Sequence, residues 1–382
     1  MTQLSKLATL GLAKETVAGT YVAPTVGIPF MSANFEDKVE PIRDESWRGN
    51  DTVLQGLYAG PINAEWDLEV MAYPDLVGHF LRGTIGPDTV TAAISTTLSS
   101  STIVGATSIS VAASIPAGTT IRIDTAANVE YATTGTPTGA GPYTIPIVTP
   151  AGGLTIAHTS SVAVVTTTKH TFKQDPTVAI PSYSLTVYDT TRTLGYAGLK
   201  WTDLAVKIDP KGALTFAPKG LSFPGAVQSL AAETYSTYTP LLGWAWTTTQ
   251  NAVASTRGLT LDLSIKRAGE AISSSDGTQA PREIFVGALE ADGTYKAIFE
   301  NQTDMDTFIN YSQLPLVATI AQPLAAGGQS LVLTMTKSGF TSGKRDLGSN
   351  YVQASFGISG IYNATDGGAV SAVLNNFQTA AY

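Results

Sequence analysis

Few side chains in this 382-residue chain stand at spacings that chemistry could use. The three histidines, His79, His158 and His170, are scattered, with no second ligand at the interval a metal needs. Gly339-Phe340-Thr341-Ser342-Gly343-Lys344 approaches a phosphate loop, but it is one residue short and runs on into Arg345 where Ser or Thr is required. It reads as a hairpin or loop. Asp304-Met305-Asp306 could seed a calcium site, yet the glycine and distal glutamate of the twelve-residue loop are missing, so the plainer reading is acids at a helix N-terminus. Trp244 and Trp246, two apart on an alternating strand, could make a sugar platform, with core packing as the plainer role. No Gly-x-Ser-x-Gly elbow is present. With no cysteine in the chain, disulfides, thiolate catalysis and cysteine metal sites are excluded. The reading is of a protein that is not an enzyme and takes no cofactor or metal.

Composition narrows the class further. Charged residues make up 14%, against roughly 25% in ordinary soluble domains. A surface rich in Gly, Ser, Thr and Ala suits burial against copies of itself. A formal charge of -8 argues against a protein that grips nucleic acid through its phosphates. Lys6 and Lys14 interrupt the N-terminal apolar residues, and no run approaches the roughly 18 apolar residues of a membrane span. A cytoplasmic product with no export signal and no membrane segment is expected.

The elements that must position any site are strands. Glu65-Trp66-Asp67-Leu68-Glu69-Val70 alternates carboxylates with apolar residues, and the stretches 203–209, 259–266 and 331–337 repeat the pattern. Stretches 183–188 and 352–358 are of the same kind. Such alternation predicts antiparallel sheets with one wet face, hence a β-sandwich or barrel. Two short helices are predicted, over 74–83 and 304–311, the first with an early proline, arginine in its last turn and glycine beyond.

The segment between Thr91 and Thr168 carries only three charged side chains, Arg122, Asp124 and Glu130. That shift predicts a small β-sandwich of about five strands, spliced into a larger discontinuous domain. The expected division is 1–90 and 169–382 for the main domain, whose halves must pack on each other, and 91–168 for an outward-facing decoration. Residues 35–60 read as a long charged loop holding Glu36, Asp37, Lys38, Glu40, Arg43, Asp44, Glu45 and Arg48. These mixed charges suit pairing with another copy.

The row Glu65, Asp67 and Glu69 is unusual because adjacent like charges repel. With Asp203 and Asp209 it forms a candidate acidic face. If that sheet lined a ring, the face would become an acidic wall that repels the phosphates of duplex DNA and lets it slide.

The chain resembles the tail tube (major tail) proteins of long-tailed bacteriophages. The resemblance rests on Gly11-Leu12-Ala13-Lys14-Glu15-Thr16 running to Gly19-Thr20 and Pro24-Thr25, and on Tyr73-Pro74-Asp75-Leu76 leading into a short helix. It continues in Ile180-Pro181-Ser182-Tyr183-Ser184-Leu185 and in Gly195-Tyr196-Ala197-Gly198-Leu199-Lys200. It implies an all-β, tail-tube-type β-sandwich whose strands complete an inner barrel with neighbouring copies, usually as hexameric rings stacked into a hollow tube. It also implies a virion protein assembled in the host cytoplasm, whose partners are itself and other tail proteins such as tape measure, tail completion and baseplate proteins. The genome would pass through an acidic lumen without specific binding, and an immunoglobulin-like or other β-module would face outward. The loop over 35–60, the N-terminal arm and residues 369–382 are expected to be mobile in the monomer and to order on stacking. A cell-surface adhesin and a carbohydrate-binding β protein are the rival readings.

Overall fold

A computed structural model describes residues 4–348 and 350–382. Residues 1–3 of the N-terminal arm lie outside the described residues. The chain is built of antiparallel β-structure with two short helices. β1 (Thr9–Lys14) and the two-residue β2 (Val26–Gly27) precede a long hairpin, β3 (Phe30–Asp44) and β4 (Gly56–Met71). Helix α1 (Val77–Thr84) follows, then β5 (Asp88–Thr91). Six short strands come next, β6 (Ser95–Thr97), β7 (Ser108–Val111), β8 (Thr120–Ile123), β9 (Glu130–Thr134), β10 (Tyr143–Val148) and β11 (Ala163–Thr166). The remainder comprises β12 (Thr168–Phe172), β13 (Tyr183–Tyr188), β14 (Thr193–Ile208), β15 (Thr215–Ser222), β16 (Ala226–Val227), β17 (Trp246–Gln250), β18 (Val253–Ser255), β19 (Gly258–Ile272) and β20 (Glu283–Ile298). Helix α2 (Thr303–Ile309) leads to β21 (Leu314–Ala321), β22 (Ser330–Asp346), β23 (Gln353–Gly360) and β24 (Ser371–Asn376).

One path of pairings, β3-β4-β15-β14-β19-β20-β23-β22, curves into a half-barrel. Alternation explains it: Ala64, Trp66, Leu68 and Val70 of β4 are buried while their neighbours reach solvent. β14 is long enough to serve two sheets. Its first half pairs with β13, which pairs with β1, and its second half lies between β15 and β19. Gly198, at φ +69, sits between the two halves in a backbone conformation that a side chain would resist.

Helix α1 covers the inner layer. Its buried Phe80 meets the Trp201 ring edge-on at 5.3 Å, and a Cβ on Gly83 would lie 2.4 Å from Trp201. Arg267 holds the helix's C-terminal end, donating from Nη2 to the Ile85 carbonyl at 2.9 Å and from Nη1 to the Gly287 carbonyl at 2.8 Å, with Nε on the Thr84 carbonyl. Sequence-distant parts meet throughout, with β1 on β13 and β4 on β15.

Strands β6–β11 form a separate six-stranded sheet with a core of its own, including Ile109, Ile121, Ile145 and Val164. A bridge between Leu98 and Val111 brings its two outer strands together. β6 is the strand that sequence reading missed; at three residues it carries no legible alternation. The unit enters and leaves through β5 and β12, which pair directly from Asp88↔Phe172 to Thr91↔Lys169.

Its three charged residues all hold structure. The His158 ring is buried, with Nδ1 3.2 Å from Asp124 and Nε2 3.0 Å from Glu130. The Thr125 amide and the His158 ring hold Asp124 below its ordinary range. Burial alone would raise Glu130, but hydrogen bonds from Thr155 and the His158 ring outweigh it and hold the carboxyl low. Depressed carboxylates contribute stability that is present above their unfolded pKa and lost as pH falls through the folded one. The six-stranded unit is therefore expected to loosen below about pH 4. Hydrogen-exchange protection of β8 and β9 should drop there while β14 stays protected; equal loss in both would contradict the account. Arg122, the third charge, crosses to the main body, reaching the Tyr238 hydroxyl at 3.2 Å and lying 5.0 Å over the Phe377 ring.

Some expectations hold and others are corrected. Residues 339–344 are hairpin and not loop: they lie within β22, paired antiparallel with β23 around a bulge. Asp304 is a helix-start acid paired to Arg257 at 2.8 Å. Among the described residues no group of three or more His, Cys, Asp or Glu could hold a metal ion. Trp244 and Trp246 do not share a strand face: Trp244 is exposed in a 3-10 turn over Gly243–Ala245, and Trp246 packs on Gly258. Residues 369–382 are ordered within the single chain, since β24 pairs with both β12 and β22 and Tyr382 is buried. Of the N-terminal arm, β1 is likewise already in the sheet. No helix among the described residues is long and apolar enough to cross a membrane.

Candidate assembly surfaces

Residues 35–60 are not a loop. They are the outer half of the β3–β4 hairpin, with register Glu36↔Glu65, Lys38↔Asn63 and Asp44↔Gly56 and a bulge at Val39/Pro41. Both faces of this arm are wet, so no apolar alternation marks it as a strand. Glu36, Asp37, Lys38, Glu40, Arg43 and Asp44 stand on β3, whereas Glu45 and Arg48 belong to the tip. Charges pair within the arm: Arg43 with Glu45 at 2.8 Å, Arg48 with Asp44, and Lys38 with Glu65 at 2.7 Å. Hydrogen bonds from Ser46 hold the Asp44 carboxyl below its ordinary range.

The arm is anchored at its base and bare beyond it. Phe35 stacks on Trp66 at 5.0 Å, and the Ile62 amide donates to the Gln279 carbonyl at 2.9 Å. Further out, Ile42, Val53, Leu57 and Tyr58 are exposed, and Trp47 at the tip is 100% exposed. Burying one such side chain is worth about 1.5–3 kcal/mol. Exposed apolar residues grouped on one projection mark a contact surface.

The half-barrel has two open margins. Among the described residues β3 pairs only with β4. At the other margin, β20 pairs with β19 along its length but with β23 only from Asp292 onward. Beside the open stretch of β20 runs a groove of about 1040 Å³ lined by Val178, Phe285, Leu289 and Tyr362. An open edge presents unpaired backbone groups and recruits another strand.

Between these margins lies the charged face. Register aligns Asp67, Lys219, Asp203, Lys266 and Glu290 across β4, β15, β14, β19 and β20, so charge alternates from strand to strand. Lys219 Nζ is 2.7 Å from Asp67, and hydrogen bonding to Asp67 raises its pKa. Lys38 meets Glu65 at 2.7 Å, and Lys207 stands 3.7 Å from Glu69. Asp203 accepts from the Ser264 hydroxyl at 2.7 Å. Asp209 is separate, accepting from the Lys211 amide in the turn after β14. The row that looked self-repelling in sequence is thus paired by lysines from other strands. These pairs are half-exposed and contribute about 1 kcal/mol or less each. Lys219→Glu, which sets three carboxylates side by side, is expected to cost about 1 kcal/mol in urea unfolding and to recover part of it in high salt. A loss that salt leaves unchanged would contradict an electrostatic origin.

A buried carboxylate that sequence reading left without a role joins the main body together. Glu15 accepts from the Gly19 amide at 2.7 Å, the Ser182 hydroxyl at 2.6 Å, the Ser184 hydroxyl at 2.8 Å and the Gly198 amide at 2.7 Å. The segments quoted above around Glu15, Ser182 and Gly198 therefore converge on one side chain.

A family model described as phage tail tube protein matches residues 5–360. No curated protein matches the chain.

Proposed function

Because the chain belongs to the phage tail tube protein family, and is thus a structural component of the phage tail, we propose that its copies join side by side into hexameric rings that stack into a hollow tube for the DNA genome. The observation that carries this reading is the pair of open margins, β3 and the first half of β20, on opposite sides of the charged face that β4, β15, β14 and β19 build between them. Two different edges that complement each other make a head-to-tail contact, which closes into a ring when the rotation allows. In the ring, β3 of one copy lies along β20 of the next, and the charged face turns to the lumen. On that face Glu36, Glu65, Asp67, Glu69, Asp203, Asp262, Glu290 and Asp292 outnumber Lys38, Lys207, Lys219, Lys266 and Lys296. The excess repels phosphates, while the interleaved lysines keep the wall from repelling itself.

The arm then serves stacking, with its apolar tip covered by the adjacent ring. Tape measure, tail completion and baseplate proteins bound the tube inside and at its ends. Residues 91–168 form the outward decoration, and the role is mechanical, without catalysis. Negative-stain electron microscopy of the purified chain after prolonged concentration tests the reading. Rings or tubes with a central hole are expected; a chain that stays monomeric at every concentration would overturn it.

A further inference from the structure

The last six residues sit where the six-stranded unit joins the body. His170, in the strand that leaves the unit, is buried, and both its ring nitrogens are engaged: Nδ1 at 2.7 Å from the Asp88 carboxylate, in the strand that enters it, and Nε2 at 2.9 Å from the Gln378 carbonyl. A carbonyl and a carboxylate only accept, so both contacts are hydrogen bonds only when the ring carries a proton on each nitrogen. The Tyr382 amide donates to the same Asp88 oxygen at 3.1 Å, and the Tyr382 ring lies 4.9 Å from the imidazole. Next to Gln378, the Phe377 ring is buried under Arg122 at 5.0 Å, with Tyr131 at 5.7 Å and Tyr238 at 6.4 Å.

We propose that residues 377–382 are a proton-operated clasp: with His170 protonated they fix the six-stranded unit in one orientation on the body, and with His170 neutral they release it. A neutral ring donates to only one of its two acceptors, so either the Asp88 contact or the Gln378 contact is lost. Losing the second frees Phe377 from beneath Arg122. The groups facing His170 are Asp88 from β5, and Asn376, Gln378 and Tyr382 from the C-terminal segment, with Phe172 beside it on β12. Lys14 and Arg82 in turn face Asp88. Burial alone would lower the His170 pKa, but the bonds to Asp88 and the Gln378 carbonyl outweigh it and raise it. A raised histidine contributes stability that is present below its unfolded value and lost as pH climbs through the folded one. Release therefore belongs above the usual histidine range of about 6.5.

The chain has no cysteine, so a Thr144→Cys, Thr247→Cys pair can be spin-labelled without further change. Pulsed electron resonance on the full chain should give one narrow distance near pH 6 and a distribution about twice as broad at about pH 9, with unchanged far-ultraviolet circular dichroism. His170→Gln in the same background should give the same width at both pH values, and Phe377→Ala should be broad at both. The proposal is overturned by a narrow distance in the unsubstituted background at the higher pH, by a pH response that survives His170→Gln, by a narrow distance in Phe377→Ala, or by general unfolding of the chain at the higher pH.

Discussion

A Glu15→Ala chain should lose about 3 kcal/mol or more of folding stability, since four donors, three of them buried, lose a charged acceptor at once. Two of those donors are the backbone amides of Gly19 and Gly198, which cannot turn elsewhere, and two are the hydroxyls of Ser182, just before β13, and Ser184, on it. The carboxylate ties the loop after β1 to β13 and to the bend of β14, so its loss should loosen all three together. Glu15→Gln keeps the volume and one good acceptor, and is expected to recover part of the difference. Urea unfolding of the three chains is the check. A Glu15→Ala chain within about 0.5 kcal/mol of the native one, the range of an ordinary surface substitution, would show that the cradle holds nothing together.

Ile42→Ser, Trp47→Ser and Leu57→Ser combined should leave the monomer's stability within about 1.5 kcal/mol, because all three side chains are exposed. Assembly should suffer far more. If each side chain loses about 1.5 kcal/mol of burial in the neighbouring ring, the concentration needed for tube growth rises about a thousandfold. Sedimentation of polymer across a concentration series reads this directly. Unchanged polymerisation would mean that the arm is not a stacking element.

Strands whose two faces differ could be read from residue order. The inner half of β4, the second half of β14, and the stretches 260–266 of β19 and 330–336 of β22 bury every second side chain, and the alternation in sequence is the trace of that half-burial. Helix α1 was legible for the same reason at helical period. The arm was not, because a hairpin with solvent on both faces has no apolar period to display. Nor could the charged face be read in full: Lys219 lies 152 residues from Asp67, and only the strand order brings them together. Glu15 stood within a recognised segment, yet its role depends on donors more than 160 residues away. β24 is six residues long, and its alternation of Ala372, Leu374 and Asn376 on the inner side was too brief to separate from a loose tail. Sequence thus carried the layers, while long-range pairing carried the surfaces on which function rests.

The central claim is that β3 of one copy pairs with β20 of the next. Two singly substituted chains, Met31→Cys on β3 and Phe285→Cys on β20, carry exposed thiols in a protein that has none of its own. Mixed, assembled and treated with a short bismaleimide, they should yield a cross-linked heterodimer in polymer and none in dilute monomer. Tubes that form with no such heterodimer would contradict the account.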